Sequence, residues 1–455
     1  MAATKEITAL EKSSVKLTLT VPKDDVRSQY QELLKEYRKN VQLPGFRKGM
    51  VPQEVLERKY GEALKGEALG RIIETAVSEV FEDENLSRQE KPLPYSRPEM
   101  KDEPKLDFDQ DLVFSLVYDV LPVVNVGAWK GIEVEVPEVS VSDEDIGREL
   151  EEIRERNAIV LDKADDALSG KDDVVTVDYC EIGEDGEIVP DSQRQGFAFT
   201  LGTGYNLFKF DDEITGMKKG ETREFEKTYP ADFPDSDLAG KTKKLRVTLT
   251  ALKSKNFPDL DDEFAQDVDE KFKTLDDLKN SIRERLDKRL QQKLKDIKVT
   301  RILEKIMETT PVDLPESMIR IEIEGRWRNL AQRFNATAEQ VRQMMAGSGQ
   351  NIEEIEKEWR PAAEKALHSR LIVETLMEQE KMEVSEEDAE KELEVMAAEA
   401  GADVAEYKKY YKDDNMWEYL KEDIKERRLF DMLIAENNIK TGKKENFLDI
   451  MTKNG

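Results

Sequence analysis

The sequence predicts an α+β multidomain chain: a small N-terminal α+β domain, a central antiparallel-sheet domain and an elongated all-α C-terminal domain. Three patterns predict it. Apolar residues alternate with period two at both ends of the first 120 positions and recur at helical spacing between them. Short alternating runs punctuated by turn residues fill 161–254. From Pro258 onward the apolar residues fall almost wholly at three-to-four spacing. At 455 residues the chain is too long for one core. Charged residues make up 38% of it and hydrophobic residues another 38%, which suits a fold with much surface per residue.

Residues 5–20 read as a strand with Val15, Leu17 and Leu19 on one face. Pro22 and Asp24 open a helix, with Asp24 or Asp25 as N-cap and a stripe of Val26, Tyr30, Leu33, Leu34 and Tyr37. After a loop, helices are expected over 53–60 and 63–82, the second carrying Leu69, Ile72, Ile73, Val77 and Val80. Leu112, Phe114, Leu116 and Tyr118 alternate in a strand within 106–120, closing a first domain of residues 1–120. Residues 121–160 form an acidic linker without a core of its own. In it Ile132, Val134 and Val136 are extended, and Ser142 or Asp143 caps a short helix ending near Asn157.

In the domain 161–254, residues 174–179 and 196–202 are strands, and Asp185-Gly186 marks a hairpin turn. Residues 208–214 can make one helical turn ending at Gly216, and 221–229 and 244–252 are two further strands. Leu275, Leu278, Ile282, Leu286, Leu290, Leu294 and Ile297 then mark a long amphipathic helix. Pro311 and Pro315 interrupt the pattern before it restarts over 318–334. Helices over 351–380, 385–399, 403–411 and 413–437, turning at Ala346-Gly347-Ser348-Gly349 and Gly401-Ala402-Asp403, complete the domain 255–455.

Several functions are excluded. One cysteine, Cys180, and one histidine, His368, build neither a disulfide framework nor a zinc site. Gly202-Thr203-Gly204 lacks the third glycine and the helix of a dinucleotide loop, and there is no P-loop. No metal and no cofactor is called for. A net charge of −29 argues against general nucleic-acid binding. The first residues hold no signal-like apolar run, and no stretch reaches 18 uninterrupted apolar residues, so a cytosolic protein is expected. Ten of the 14 methionines follow residue 300. They read either as gap-fillers in helical packing or as an adaptable apolar surface.

Two features carry function. Leu43-Pro44-Gly45-Phe46-Arg47-Lys48-Gly49, followed by Val51-Pro52, places an aromatic and two cations between glycines. Such a segment makes a defined tip suited to a partner. From Lys35 to Lys59 there are seven basic residues against Glu36, Glu54 and Glu57, in an otherwise acidic chain. The other feature is the aromatic content of the central domain, with Tyr179, Phe197, Phe199, Tyr205, Phe208, Phe210, Tyr229 and Phe233. An aromatic-walled cleft can bind an apolar-proline dipeptide. Rotation about a prolyl bond needs no nucleophile or metal, only a dry pocket that holds the twisted amide.

In this order the parts resemble the trigger factor family of bacterial ribosome-associated chaperones. Gly45-Phe46-Arg47-Lys48-Gly49 with Val51-Pro52 is similar to the family's ribosome-docking signature. The stretch 197–252, with Leu201-Gly202, Tyr229-Pro230, Phe233 and Leu238-Ala239-Gly240-Lys241, looks like an FKBP-type prolyl isomerase. Leu314-Pro315-Glu316-Ser317-Met318-Ile319 resembles the opening of the family's chaperone domain.

The resemblance implies docking of Gly45, Phe46, Arg47, Lys48 and Gly49 on the large ribosomal subunit beside the exit tunnel, with rRNA nearby. It also implies a helical cradle for nascent and unfolded polypeptides, and a prolyl cleft lined by Tyr179, Phe197, Leu207, Phe210 and Phe233. A homodimer off the ribosome is left open. Lys209 and Glu213 stand where the family has glycines, and Val189-Pro190 replaces an aromatic-acidic pair, so the altered entrance can weaken activity. The alternatives are a free isomerase whose helical arms recruit substrate, and a pure holdase with an inactive isomerase domain.

Overall fold

The structure, a computed structural model, describes residues 3–183, 186–235, 237–411 and 414–452. Its contacts divide the chain into two units, Met1–Val136 with Asp296–Thr441, and Pro137–Lys295 with Gly442–Gly455.

The chain begins with β1 (Thr4–Ala9) and β2 (Ser14–Val21), an antiparallel hairpin with Ile7 opposite Leu17. A single strand over 5–20 was the expectation. Lys12 and Ser13 instead take left-handed φ values of 58° and 48° and fold the segment back on itself. Helix α1 (Lys23–Asn40) starts after Pro22, so Asp24 and Asp25 lie in its first turn rather than capping it. There they complement the positive end of the helix dipole. Helix α2 (Gln53–Phe81) is continuous over 29 residues where two helices were expected. Gly61 weakens it by about 1 kcal/mol but does not break it, because packing of Leu56, Leu64 and Ala68 continues across it.

Strands β3 (Glu99–Met100) and β4 (Leu112–Asp119) complete a sheet of order β1-β2-β4-β3. The expected strand start at 106 is replaced by irregular chain, because Leu106 and Phe108 turn inward onto the helices, with Phe108 4.7 Å from Tyr30. Leu17, Leu19, Phe114, Ile72 and Ala76 lie at the centre of this core. In β5 (Glu133–Glu138), Val134 joins Trp129, Ile302, Ile306, Ile372 and Leu433 in a separate cluster, so the linker packs on residues far along the chain.

Helix α3 (Asp143–Arg156) begins at a Ser142 capping box with Asp145 and ends at Asn157, as its sequence predicts. Five strands follow: β6 (Ile159–Asp162), β7 (Val174–Ile182), β8 (Arg194–Thr200), β9 (Thr222–Thr228) and β10 (Thr242–Asn256). All pairings are antiparallel, in the order β6-β10-β7-β8, with β9 also on β10. A bulge between Leu249 and Ala251 bends the long central strand. The one-turn helix α4 (Asp211–Ile214) lies between β8 and β9. Asp185 of the expected hairpin turn lies outside the described residues, while Gly186 takes φ 81°.

Helices α5 (Asp262–Val268), α6 (Leu275–Thr309), α7 (Glu316–Arg333), α8 (Ala338–Gly347), α9 (Ile352–Gln379), α10 (Glu386–Glu399), α11 (Val404–Tyr410) and α12 (Asp414–Ala435) follow. The region after 258 is not wholly helical. Strand β11 (Asn438–Lys444) pairs with β5, and α13 (Phe447–Thr452) comes after it. Most late methionines pack: Met318 is buried, Met377, Met382 and Met432 support one core, and Met396 another. Met344 is 53% exposed. The gap-filling role therefore accounts for most of them. Among the described residues no helix is long and apolar enough to cross a membrane.

Candidate functional site: a cationic tip and an aromatic cleft

The segment between α1 and α2 is pinned at both shoulders. Leu43 and Val51 are buried with Leu56, and Tyr37, Val41, Val55 and Tyr60 pack around them. Between the shoulders Phe46 N–H donates to Leu43 O at 3.0 Å and Met50 N–H to Arg47 O at 2.9 Å, two successive tight turns. Gly45 and Gly49 take φ of 90° and 83°, where a side chain would be strained. The rigid base thus lifts a short apex clear of the core. Phe46 is 38% exposed, and Arg47 and Lys48 are exposed without an ion-pair partner among the described residues. Met50 is more exposed still and extends the apolar face of the apex. Sequence reasoning missed it, although an apolar residue squeezed between Gly49 and Val51-Pro52 has no inward route.

In the sheet unit, the five expected cleft residues fall into two groups. Tyr179 on β7 contacts Phe197 on β8 at 5.8 Å and Phe210 at 5.5 Å, both edge-to-face. Phe210 is fully buried and touches Phe199 and Phe225 as well, so it belongs to the core of the domain. Leu207 and Phe233 lie elsewhere, lining a 420 Å³ cleft with Tyr205, Lys209, Pro234 and Asp235. Leu207 is about half exposed and Tyr205 stands at the lip. Val189 and Pro190 are not part of this lining.

Two residues left unassigned by the sequence join the groups. Tyr229 meets Phe233 edge-to-face at 5.0 Å, and its hydroxyl donates to Phe208 O at 2.8 Å. Phe208 in turn meets Tyr179 at 5.8 Å. Burial, then Glu213 and Glu181, push the Tyr229 hydroxyl up to about 12, so it stays a donor.

The loop carrying Leu207 is held by a buried carboxylate. Asp211 Oδ1 accepts from Gly202 N at 2.9 Å and Gly204 N at 3.0 Å, and Oδ2 accepts from Asn206 Nδ2 at 2.7 Å. Asn206 Oδ1 accepts from Phe210 N at 3.0 Å. Gly202 and Gly204, with φ of 92° and 63°, therefore serve this turn rather than a phosphate. Lys209 also has positive φ, 51°. Its carbonyl accepts from Lys227 Nζ at 2.6 Å, and Lys227 also pairs with Glu213 at 2.7 Å. Lys209 thus holds a backbone conformation that disfavours a side chain, while Glu213 is held through one oxygen by a salt bridge. No cluster of three metal-ligating side chains occurs among the described residues. The site offers a cleft walled by Leu207, Phe233, Pro234 and Tyr205, with Lys209 and Asp235 as its charged residues.

Comparison with known proteins gives the family. Residues 3–153 match the model for bacterial trigger factor protein, and residues 274–435 match that for its C-terminus. Residues 166–250 match FKBP-type peptidyl-prolyl cis–trans isomerase. The trigger factor of Treponema denticola is 42% identical over 447 residues, covering 98% of this chain and 99% of its own. That of Treponema pallidum is 38% identical over 451 residues, and that of Borreliella burgdorferi 32% over 460, each with 99% of both chains covered. A helix–tip–helix α+β domain and a helical domain, flanking an FKBP-type peptidyl-prolyl isomerase domain in sequence, define an isomerase-bearing chaperone. The chain belongs to the trigger factor family.

Proposed function

We propose that this chaperone docks on the large ribosomal subunit beside the exit tunnel, holds emerging polypeptides and isomerises their X-Pro bonds in the cytoplasm. Residues 1–120 dock, 121–160 link, 161–254 isomerise and 255–455 form the substrate cradle. The observation that carries the docking is the apex geometry. An exposed Phe46 between two left-handed glycines, beside Arg47 and Lys48 with no ion-pair partner among the described residues, is built to insert an aromatic anchor while its cations meet carboxylates or phosphates.

At the cleft, Leu207 and Phe233 hold the proline, with Tyr179, Phe197 and Phe210 in the aromatic core against which Phe233 packs. The barrier to rotation, about 18–20 kcal/mol, is the amide's lost resonance. A dry apolar wall lowers it by withholding the hydrogen bonds with which water stabilises the planar amide. Lys209 narrows the entrance, which lowers the rate. Co-sedimentation with ribosomes tests the docking. Phe46→Ala with Arg47→Ala and Lys48→Ala is expected to release the protein, and undiminished co-sedimentation would sink the proposal.

A further inference from the structure

We propose that Lys209 sets the charge selectivity of the cleft, favouring peptides with an acidic residue next to the isomerised bond and disfavouring those with lysine there. The proposal rests on the cleft being the prolyl site.

Lys209 is flanked by buried Phe208 and fully buried Phe210, so its side chain has no inward route. Its backbone is fixed from both sides, with N–H donating to Asn206 O at 3.1 Å and the carbonyl held by Lys227. In the left-handed conformation a glycine would be unstrained and a lysine is not, so the position retains a residue its backbone disfavours. The side chain is also placed rather than free. A Cβ built on Gly204 would lie 3.7 Å from Lys209 Cδ and 3.8 Å from Nζ, and Nζ donates to Gly204 O. The stem therefore lies across the glycine and sets the ammonium on the cleft wall beside Tyr205 and Leu207.

That ammonium has no ion-pair partner among the described residues, and Gly204 O is a neutral acceptor. Of the nearby carboxylates, Asp211 is held by Gly202, Gly204 and Asn206, and Glu213 by Lys227 through Oε1, its Oε2 being buried without a partner among the described residues. Asp235, on the cleft lining with Lys209, is the opposing charge, and it accepts from Asp237 N at 2.8 Å. A peptide carboxylate beside the proline can take the ammonium from Gly204 O, exchanging a neutral acceptor for a charged one against an apolar wall. A peptide ammonium meets repulsion at the same point.

The test measures kcat/KM of the full chain on end-blocked Ala-Xaa-Pro-Phe peptides with Xaa Leu, Glu or Lys, by exchange NMR. The wild type is expected to prefer Glu over Lys by about two- to five-fold, the span of an exposed charge pair. Lys209→Met, which keeps the stem, brings the ratio to near unity. Lys209→Glu inverts it, Lys209→Arg keeps it, and Asp235→Asn raises it. A ratio unchanged in Lys209→Met, with the Leu peptide still accelerated, overturns this proposal and leaves the cleft assignment standing. No acceleration of the Leu peptide by the wild type overturns both.

Discussion

Replacing Asp211 with asparagine removes one charge and almost no volume, and it tests whether a single carboxylate holds the cleft. Asp211 is 8% exposed and Asn206 2%, so water cannot replace a lost partner at either. In the native site three N–H donors converge on the two Asp211 oxygens, and Asn206 uses its own oxygen for Phe210 N. An asparagine at 211 keeps one oxygen for Gly202 and Gly204 but turns an amide nitrogen toward the Asn206 amide nitrogen. If Asn206 flips to accept, Phe210 N loses its acceptor. At least one buried donor is orphaned in either arrangement, at about 1–3 kcal/mol, and the surviving bonds lose their charge assistance. The loop 202–206 is expected to open more easily by about 2–4 kcal/mol, roughly a hundredfold faster exchange of the Gly202 and Gly204 amides. Hydrogen exchange of the full chain reads this directly, and kcat/KM on a Leu-Pro peptide should fall with it as Leu207 loses its fixed position. Unchanged amide protection in Asp211→Asn would refute the reasoning.

Two further outcomes follow from buried aromatics. Tyr118 and Tyr229 have hydroxyls pushed up to about 12, chiefly by burial, and then by Glu90 for Tyr118 and by Glu213 and Glu181 for Tyr229. Because the folded state holds these protons more tightly than the unfolded state, their stabilisation is whole below the ordinary tyrosine value near 10 and is lost as pH climbs toward about 12. Thermal melts with tyrosinate absorbance should show that loss, and Tyr118→Phe with Tyr229→Phe should flatten it. Trp327 is fully buried, 4.6 Å from Trp359, with its indole N–H on Glu356 at 2.9 Å. Trp327→Ala should destabilise the packing of α7, α8 and α9 by about 3–5 kcal/mol in urea unfolding followed by circular dichroism, and a change under 1 kcal/mol would contradict the packing described.

What could be read in advance was local. The alternation of β2 and β4, the Ser142 capping box and the glycine-bracketed apex each rest on residues within a few positions of one another. Elements that depend on distant partners were hidden. Strand β11, Asn-Ile-Lys-Thr-Gly-Lys-Lys, has one apolar residue and exists through its pairing with β5. Strand β6 is exposed along its whole length and is held by β10. Helix α8 did carry a local signal, Thr337 with Gln340 as a capping box, which the nearby glycines obscured. At the cleft, the aromatic residues were visible as a set but their division was not. Only the fold sends Phe210 into the core, leaves Leu207 at the opening and brings Asp211 beneath Gly202 and Gly204.

The account stands or falls on what the apex touches. A photoreactive phenylalanine analogue at position 46 keeps the aromatic anchor and reports its neighbour, and a second at Met50 samples the adjoining exposed position. Val113, 52% exposed on β4, supplies the control. Irradiation with intact ribosomes should join positions 46 and 50 to a protein of the large subunit, and position 113 to none. Equal cross-linking from all three positions, or none from position 46, would contradict the docking on which the proposed function depends.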